Sequence, residues 1–123
     1  MPQTILVAED EVLIRYAICD YLRDCGYHVI EAGSGTEAIS VLESNEIAVD
    51  LVFSDVQMPG SVDGFGLARW IREHRPAIRI ILTSGVVKTA QLARELCEIG
   101  PIESKPYRFQ SLVDRIRRLL ADN

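Results

Sequence analysis

Short runs rich in valine, isoleucine and leucine alternate along the chain with longer stretches whose apolar residues recur every three or four positions. Runs such as Ile5-Leu6-Val7-Ala8 and Ile80-Ile81-Leu82 are apolar throughout, as strands covered on both faces must be, and too brief to be buried helices. The pattern predicts strands at 4–8, 28–32, 51–54, 79–83 and 102–104, with helices over 11–24, 36–44, 64–73, 89–98 and 109–120. End signals support these limits: Ser34 or Gly35 before the second helix, Gly26 closing the first, Pro76 beyond the third, Gly100 and Pro101 ending the fourth.

Strand and helix in strict alternation build βαβ units, and right-handed crossovers then place helices on both faces of a parallel sheet. The expected fold class is α/β, a doubly wound five-stranded parallel sheet of (βα)5 type with the flavodoxin-like strand order 2-1-3-4-5. With no linker, repeat or low-complexity tract in 123 residues, a single domain over 1–123 is expected.

A composition of 48% hydrophobic and 25% charged residues excludes a disordered tail or a fibrous repeat. The net charge of −5 argues against direct nucleic-acid binding, because only Arg115, Arg117 and Arg118 cluster and they fit the solvated face of a helix. Cys19, Cys25 and Cys97 form an odd set without CxxC spacing, and are expected as reduced, packed thiols. Neither a signal peptide nor a membrane-spanning run is present in the sequence, so a cytoplasmic location is expected.

In such a sheet, ligands bind at the carboxyl ends of the strands. Glu9, Asp10 and Glu11 follow the first predicted strand, Asp55 the third, Ser84 the fourth and Lys105 the fifth. Carboxylates about 5 Å apart repel by roughly 3 kcal/mol per pair at an effective dielectric near 20, so such a group must be protonated or must hold a cation. All-oxygen ligands on partly solvated loops suit Mg2+, which would also offset the charge of an incoming phosphoryl group. Asp55 can attack phosphorus without a base to deprotonate it, while Lys105 and Ser84 can meet the phosphoryl oxygens. Each residue alone has a plainer reading. Asp10 or Glu11 could cap the following helix, Asp50 and Asp63 fit turns or caps, Ser84 fits a loop hydroxyl, and Lys105 fits a surface charge. It is the convergence of four strand ends that favours chemistry.

Taken with Ile5-Leu6-Val7-Ala8-Glu9-Asp10-Glu11, Leu51 through Pro59, Asp63-Gly64, Ile81-Leu82-Thr83-Ser84-Gly85 and Ser104-Lys105-Pro106, the chain resembles the receiver domain of two-component response regulators over essentially its full length. The resemblance implies that Asp55 is the phosphoacceptor, Asp10 a direct Mg2+ ligand, Glu9 a ligand through water and Gln57 a ligand through its backbone carbonyl. It matches Ser84 to the family's switch hydroxyl and Lys105 to its phosphate-pairing lysine, with a cis peptide before Pro106. It further implies a histidine kinase or histidine phosphotransfer domain as donor and a downstream effector protein as reader. The domain would catalyse its own phosphorylation and a slow dephosphorylation, without being an enzyme toward a separate substrate.

Four departures from the family pattern stand out. Glu9 replaces an aspartate, Gly60-Ser61-Val62 is one residue longer than the common spacer, Ile102 replaces a switch aromatic, and Val86 is apolar where a polar side chain could orient water. In the first helix, Leu13, Ala17 and Tyr21 flank Ile14, Ile18, Leu22 and Cys25 in a band wide enough to leave part exposed. Tyr107, Phe109 and Leu112 are candidates for an output surface. Among other classes, an aspartate-nucleophile phosphatase would want an acid where Gln57 stands, and a flavin module would not place Glu9-Asp10-Glu11 at its phosphate loop. An adaptor that keeps the pocket without using it is the third alternative.

Overall fold

The computed structural model describes residues 3–44 and 46–99. In chain order these form β1 (Thr4–Ala8), α1 (Val12–Asp24), β2 (His28–Ala32), α2 (Gly35–Glu43), β3 (Leu51–Asp55), α3 (Gly64–His74), β4 (Arg79–Thr83) and α4 (Val86–Ile99). The strands pair in parallel in the order β2-β1-β3-β4, which agrees with the first four positions of the expected order. The expected fifth strand at 102–104 and fifth helix at 109–120 lie outside the described residues, as do Ile102, Lys105, Pro106, Tyr107, Phe109 and Leu112.

β1 is central and buried on both faces, which is why its sequence does not alternate. Ile5 and Val7 point to the face covered by α1 and α4, where Ala17, Ile18, Leu22, Phe53, Ala90 and Ala93 complete the core. Leu6 and Ala8 point to the other face, packed by α2 and α3 through Ala38, Leu42, Leu67 and Ile71. Full burial of such leucine and isoleucine side chains is worth about 1.5–3 kcal/mol each. The two cores fix β1 against β3 and thereby fix what stands at their ends.

The helix ends follow local chemistry. Ser34 caps α2 by accepting from the Glu37 N–H at 3.1 Å, and Asp63 caps α3 by accepting from the Gly66 N–H at 2.8 Å. Gly26, at φ 98°, closes α1 with its N–H on the Arg23 carbonyl. Asp50, expected in a turn or cap, instead stands just before β3 and ties it to β1, its side chain accepting from the Thr4 N–H at 2.8 Å.

One expectation is corrected. Cys25 and Cys97, expected as separate thiols, form a disulfide with Cα atoms 5.4 Å apart, while Cys19 is a buried free thiol. With the two 72 positions apart in sequence, nothing in the local sequence indicated that the end of α1 meets α4. Part of the apolar band of α1 is exposed, as expected: Leu13 and Ile14 are half-buried while Ala17, Ile18, Tyr21, Leu22 and Cys25 are buried, and the most exposed apolar residues of the helix are Val12 and Tyr16, at 61% and 59% exposure.

α4 is held to the α1 face by a further bond. The buried Tyr27 hydroxyl donates to the carbonyl of Leu96 in the last turn of α4, where carbonyls lack partners within the helix. Tyr27→Phe is expected to lower the unfolding free energy by about 1–3 kcal/mol, the cost of leaving a buried acceptor unsatisfied, measured by urea denaturation. An unchanged midpoint and slope would show that this bond does not secure α4.

Candidate functional site

Parallel pairing of β1 with β3 sets Ala8 level with Ser54, so the next residues, Glu9 and Asp55, arrive side by side at the carboxyl edge of the sheet. The Glu9 N–H still donates to the Ala32 carbonyl of β2 at 3.0 Å, which continues the ladder to this residue. Asp55, expected just after its strand, is the last residue within it, in register with Thr83 of β4. Carboxylate oxygens of Glu9, Asp10 and Asp55 all lie within 4.8 Å of one another. Three hard oxygen donors at this spacing can hold a divalent cation.

Their electrostatics fit that use. Glu9 is only 7% exposed, and its pKa is raised from 4.5 to about 9, first by burial, then by a hydrogen bond with Asp55 and by the charges of Asp55, Asp10 and Glu11. At neutral pH without a cation, Glu9 therefore keeps its proton and donates it toward Asp55. Glu11 stands at the N-cap of α1, but its side chain makes no capping hydrogen bond, so the capping alternative does not hold for it.

The loop after β3 wraps closely around Asp55. The Gln57 N–H donates to Asp55 Oδ1 at 3.3 Å, and the Gly64 N–H donates to the Val56 carbonyl at 2.9 Å. A Cβ on Gly64 would lie 2.3 Å from the Asp55 carbonyl oxygen, so only glycine lets α3 start against the end of β3. Met58 is buried under the loop and anchors it in the α2–α3 core.

Two hydroxyls stand at the end of β4, Thr83 within it and Ser84 just after it. Thr83, 2% exposed, faces the same side as Asp55 and lines a small cavity with Glu9, Asp55 and Thr89. Its hydroxyl bonds that of Thr89, which also donates to the Gly85 carbonyl at 2.8 Å. Ser84, singled out from the sequence, is exposed beside it. The residue after each predicted strand points to Ser84, whereas β3 and β4 present their last residues, Asp55 and Thr83. Strand parity holds the missing signal: Phe53 and Asp55 share a face, as do Ile81 and Thr83. Val86, noted for its apolar character, begins α4 and packs against the core. Lys105 lies outside the described residues.

The response regulator receiver domain model matches residues 5–117, and the chain belongs to that family. Receiver domains are the phosphoacceptor signalling domains of two-component systems, which places the chain in phosphorelay signalling. It is 37% identical over 120 residues to the sensor kinase CckA of Brucella abortus, covering 95% of this chain and 12% of that protein. It is 41% identical over 85 residues to the transcriptional regulatory protein PdtaR of Mycobacterium tuberculosis, covering 68% of this chain and 40% of that protein. The chain thus spans less than half the length of either relative. The response regulator TrrA of Thermotoga maritima, solved in complex with Mg(2+)-BeF, superposes with a TM-score of 0.63 at 28% identity, covering 95% of this chain and 98% of that one. No helix among the described residues is long and apolar enough to cross a membrane.

Because Glu9 binds its proton more tightly in the folded chain than at its ordinary value of 4.5, the native state holds the extra proton between pH 4.5 and about 9. The stabilisation is complete below about pH 4.5 and is lost as pH rises toward 9. In EDTA, the melting temperature of the wild type is expected to fall relative to that of Glu9→Gln across this window. Parallel melting profiles for the two proteins would contradict the raised affinity.

Proposed function

We propose that Asp55 accepts a phosphoryl group from a phosphohistidine donor, with Mg2+ held by Glu9, Asp10, Asp55 and the backbone carbonyl of Gln57. The observation that carries this reading is the gathering of the Glu9, Asp10 and Asp55 carboxylates within 4.8 Å of one another. A bound Mg2+ supplies positive charge against the carboxylates and the phosphoryl oxygens. An Asp55 oxygen attacks phosphorus, the phosphorus–nitrogen bond of the donor breaks, and an acyl phosphate remains on Asp55 while the imidazole leaves with the bonding pair. Asp55 needs no general base, because its carboxylate carries no proton to remove.

Lys105 is assigned to the phosphoryl oxygens by its place in the family pattern. Ser84 is the sequence's candidate for the responding hydroxyl, and the register of β4 supports Thr83 as a second one, already bonded to Thr89 of α4. Movement of a hydroxyl toward phosphate would disturb that link and bias the loop and α4 between two arrangements. The donor is a histidine kinase or histidine phosphotransfer domain, the reader a downstream effector protein, and the setting the cytoplasm. The domain catalyses its own phosphorylation and slow dephosphorylation, with Gln57 positioned to orient attacking water.

Incubation with Mg2+ and acetyl phosphate is expected to add one phosphoryl group to the wild type and none to Asp55→Asn, read by intact mass. No adduct on the wild type beside a competent control receiver would overturn the assignment, and multiple turnover of a free phosphoester would favour the phosphatase alternative. In the same assay, Thr83→Ala and Ser84→Ala separate the two hydroxyls. The one that contacts the phosphoryl group is expected to slow adduct formation when removed, by roughly the factor of ten or more that one oriented hydrogen bond supplies. Equal rates in both variants and wild type would remove both hydroxyls from the site.

A further inference from the structure

One cation approaches the acidic cluster from behind. Arg15 lies one turn into α1 with its side chain 20% exposed, and its guanidinium makes two directed contacts. Nη1 donates to the backbone carbonyl of Glu9 at 2.9 Å, and Nε donates to Glu31 Oε1 of β2 at 3.2 Å. The other oxygen of Glu31 accepts from Arg23 Nη2 at 3.3 Å, so the anchor is itself held. Gly33 leaves the space: a Cβ there would lie 3.1 Å from Arg15 Nη1, closer than such contacts usually fall.

The Glu9 peptide is therefore gripped on both sides, its N–H on the Ala32 carbonyl and its carbonyl on Arg15. These two bonds set the direction in which the chain leaves β1. That direction decides where the Glu9 and Asp10 carboxylates point relative to Asp55. We propose that Arg15, braced by Glu31, is a positioning residue for the cation site, acting on the backbone of Glu9 and not on any carboxylate of the cluster. The inference rests on the Mg2+ site proposed above.

Charge and position predict opposite signs. By Coulomb's law alone, deleting a cation beside an acidic cluster tightens Mg2+ binding. If Arg15 works by position, deleting it weakens binding, because the ligands lose their preset orientation. Calorimetric titration of the wild type with Mg2+ is compared with Arg15→Gln and Arg15→Lys, with melting temperatures in EDTA recorded alongside. Leu42→Ala, buried on the opposite face of the sheet, serves as a variant that loses stability without touching Arg15. Arg15→Gln is expected to raise the dissociation constant about tenfold. Arg15→Lys, which keeps the charge but not the planar fork, recovers part of that loss. Leu42→Ala is expected to lower the melting temperature and leave the dissociation constant unchanged. Mg2+ affinity in Arg15→Gln equal to or tighter than wild type overturns the proposal, as does an equal weakening in Leu42→Ala. A wild type that binds no Mg2+ instead overturns the site itself, and the role of Arg15 with it.

Discussion

Everything at the functional edge of this protein depends on the repulsion among Glu9, Asp10 and Asp55. The apolar cores on either side of the sheet hold β1 beside β3, and the register of that pair brings Glu9 beside Asp55, with the Asp10 carboxylate within 4.8 Å of both. Hydrophobic burial thus imposes an electrostatic cost at the strand ends. In the folded chain Glu9 relieves part of it by retaining its proton against Asp55. A divalent cation held by the same three carboxylates would relieve it in a second way. The same constraint that destabilises the edge therefore gathers oxygen donors that could hold a cation.

The surrounding residues steer the backbone more than they neutralise charge. Gly64 admits α3 directly against the Asp55 carbonyl, the Gln57 N–H holds Asp55 Oδ1, and Arg15 grips the Glu9 carbonyl. Each acts on a main-chain group or on one carboxylate oxygen. On the far side, the Thr83 and Thr89 hydroxyls join the pocket to α4, which Tyr27 and the Cys25–Cys97 bond fasten to the α1 face. A continuous set of contacts consequently runs from the acids to the longest helix among the described residues.

Much of this was legible in the chain itself. The apolar runs at 4–8 and 79–83 marked strands within the same bounds as those observed, and Asp63 and Ser34 announced the helices they cap. Asp55 was found slightly misplaced, as the residue after its strand, because its ladder bond to β4 belongs to another part of the chain. The same displacement led to Ser84 and past Thr83, whose burial arises only once β3 lies alongside β4. Arg15 was missed for a related reason: an arginine on an amphipathic helix reads as a solvated charge until Glu31 and the Glu9 carbonyl are brought to it.

By itself, the sequence determined the alternation of strands and helices and the gathering of acids at one edge, since these follow from periodicity and from residue types at strand ends, while its motif stretches carried the resemblance to the family. The tertiary structure decided which hydroxyl stands level with Asp55, which cation braces Glu9, and that Cys25 meets Cys97 across 72 residues. Those facts depend on register and on the approach of distant segments, and local propensity carries no record of either.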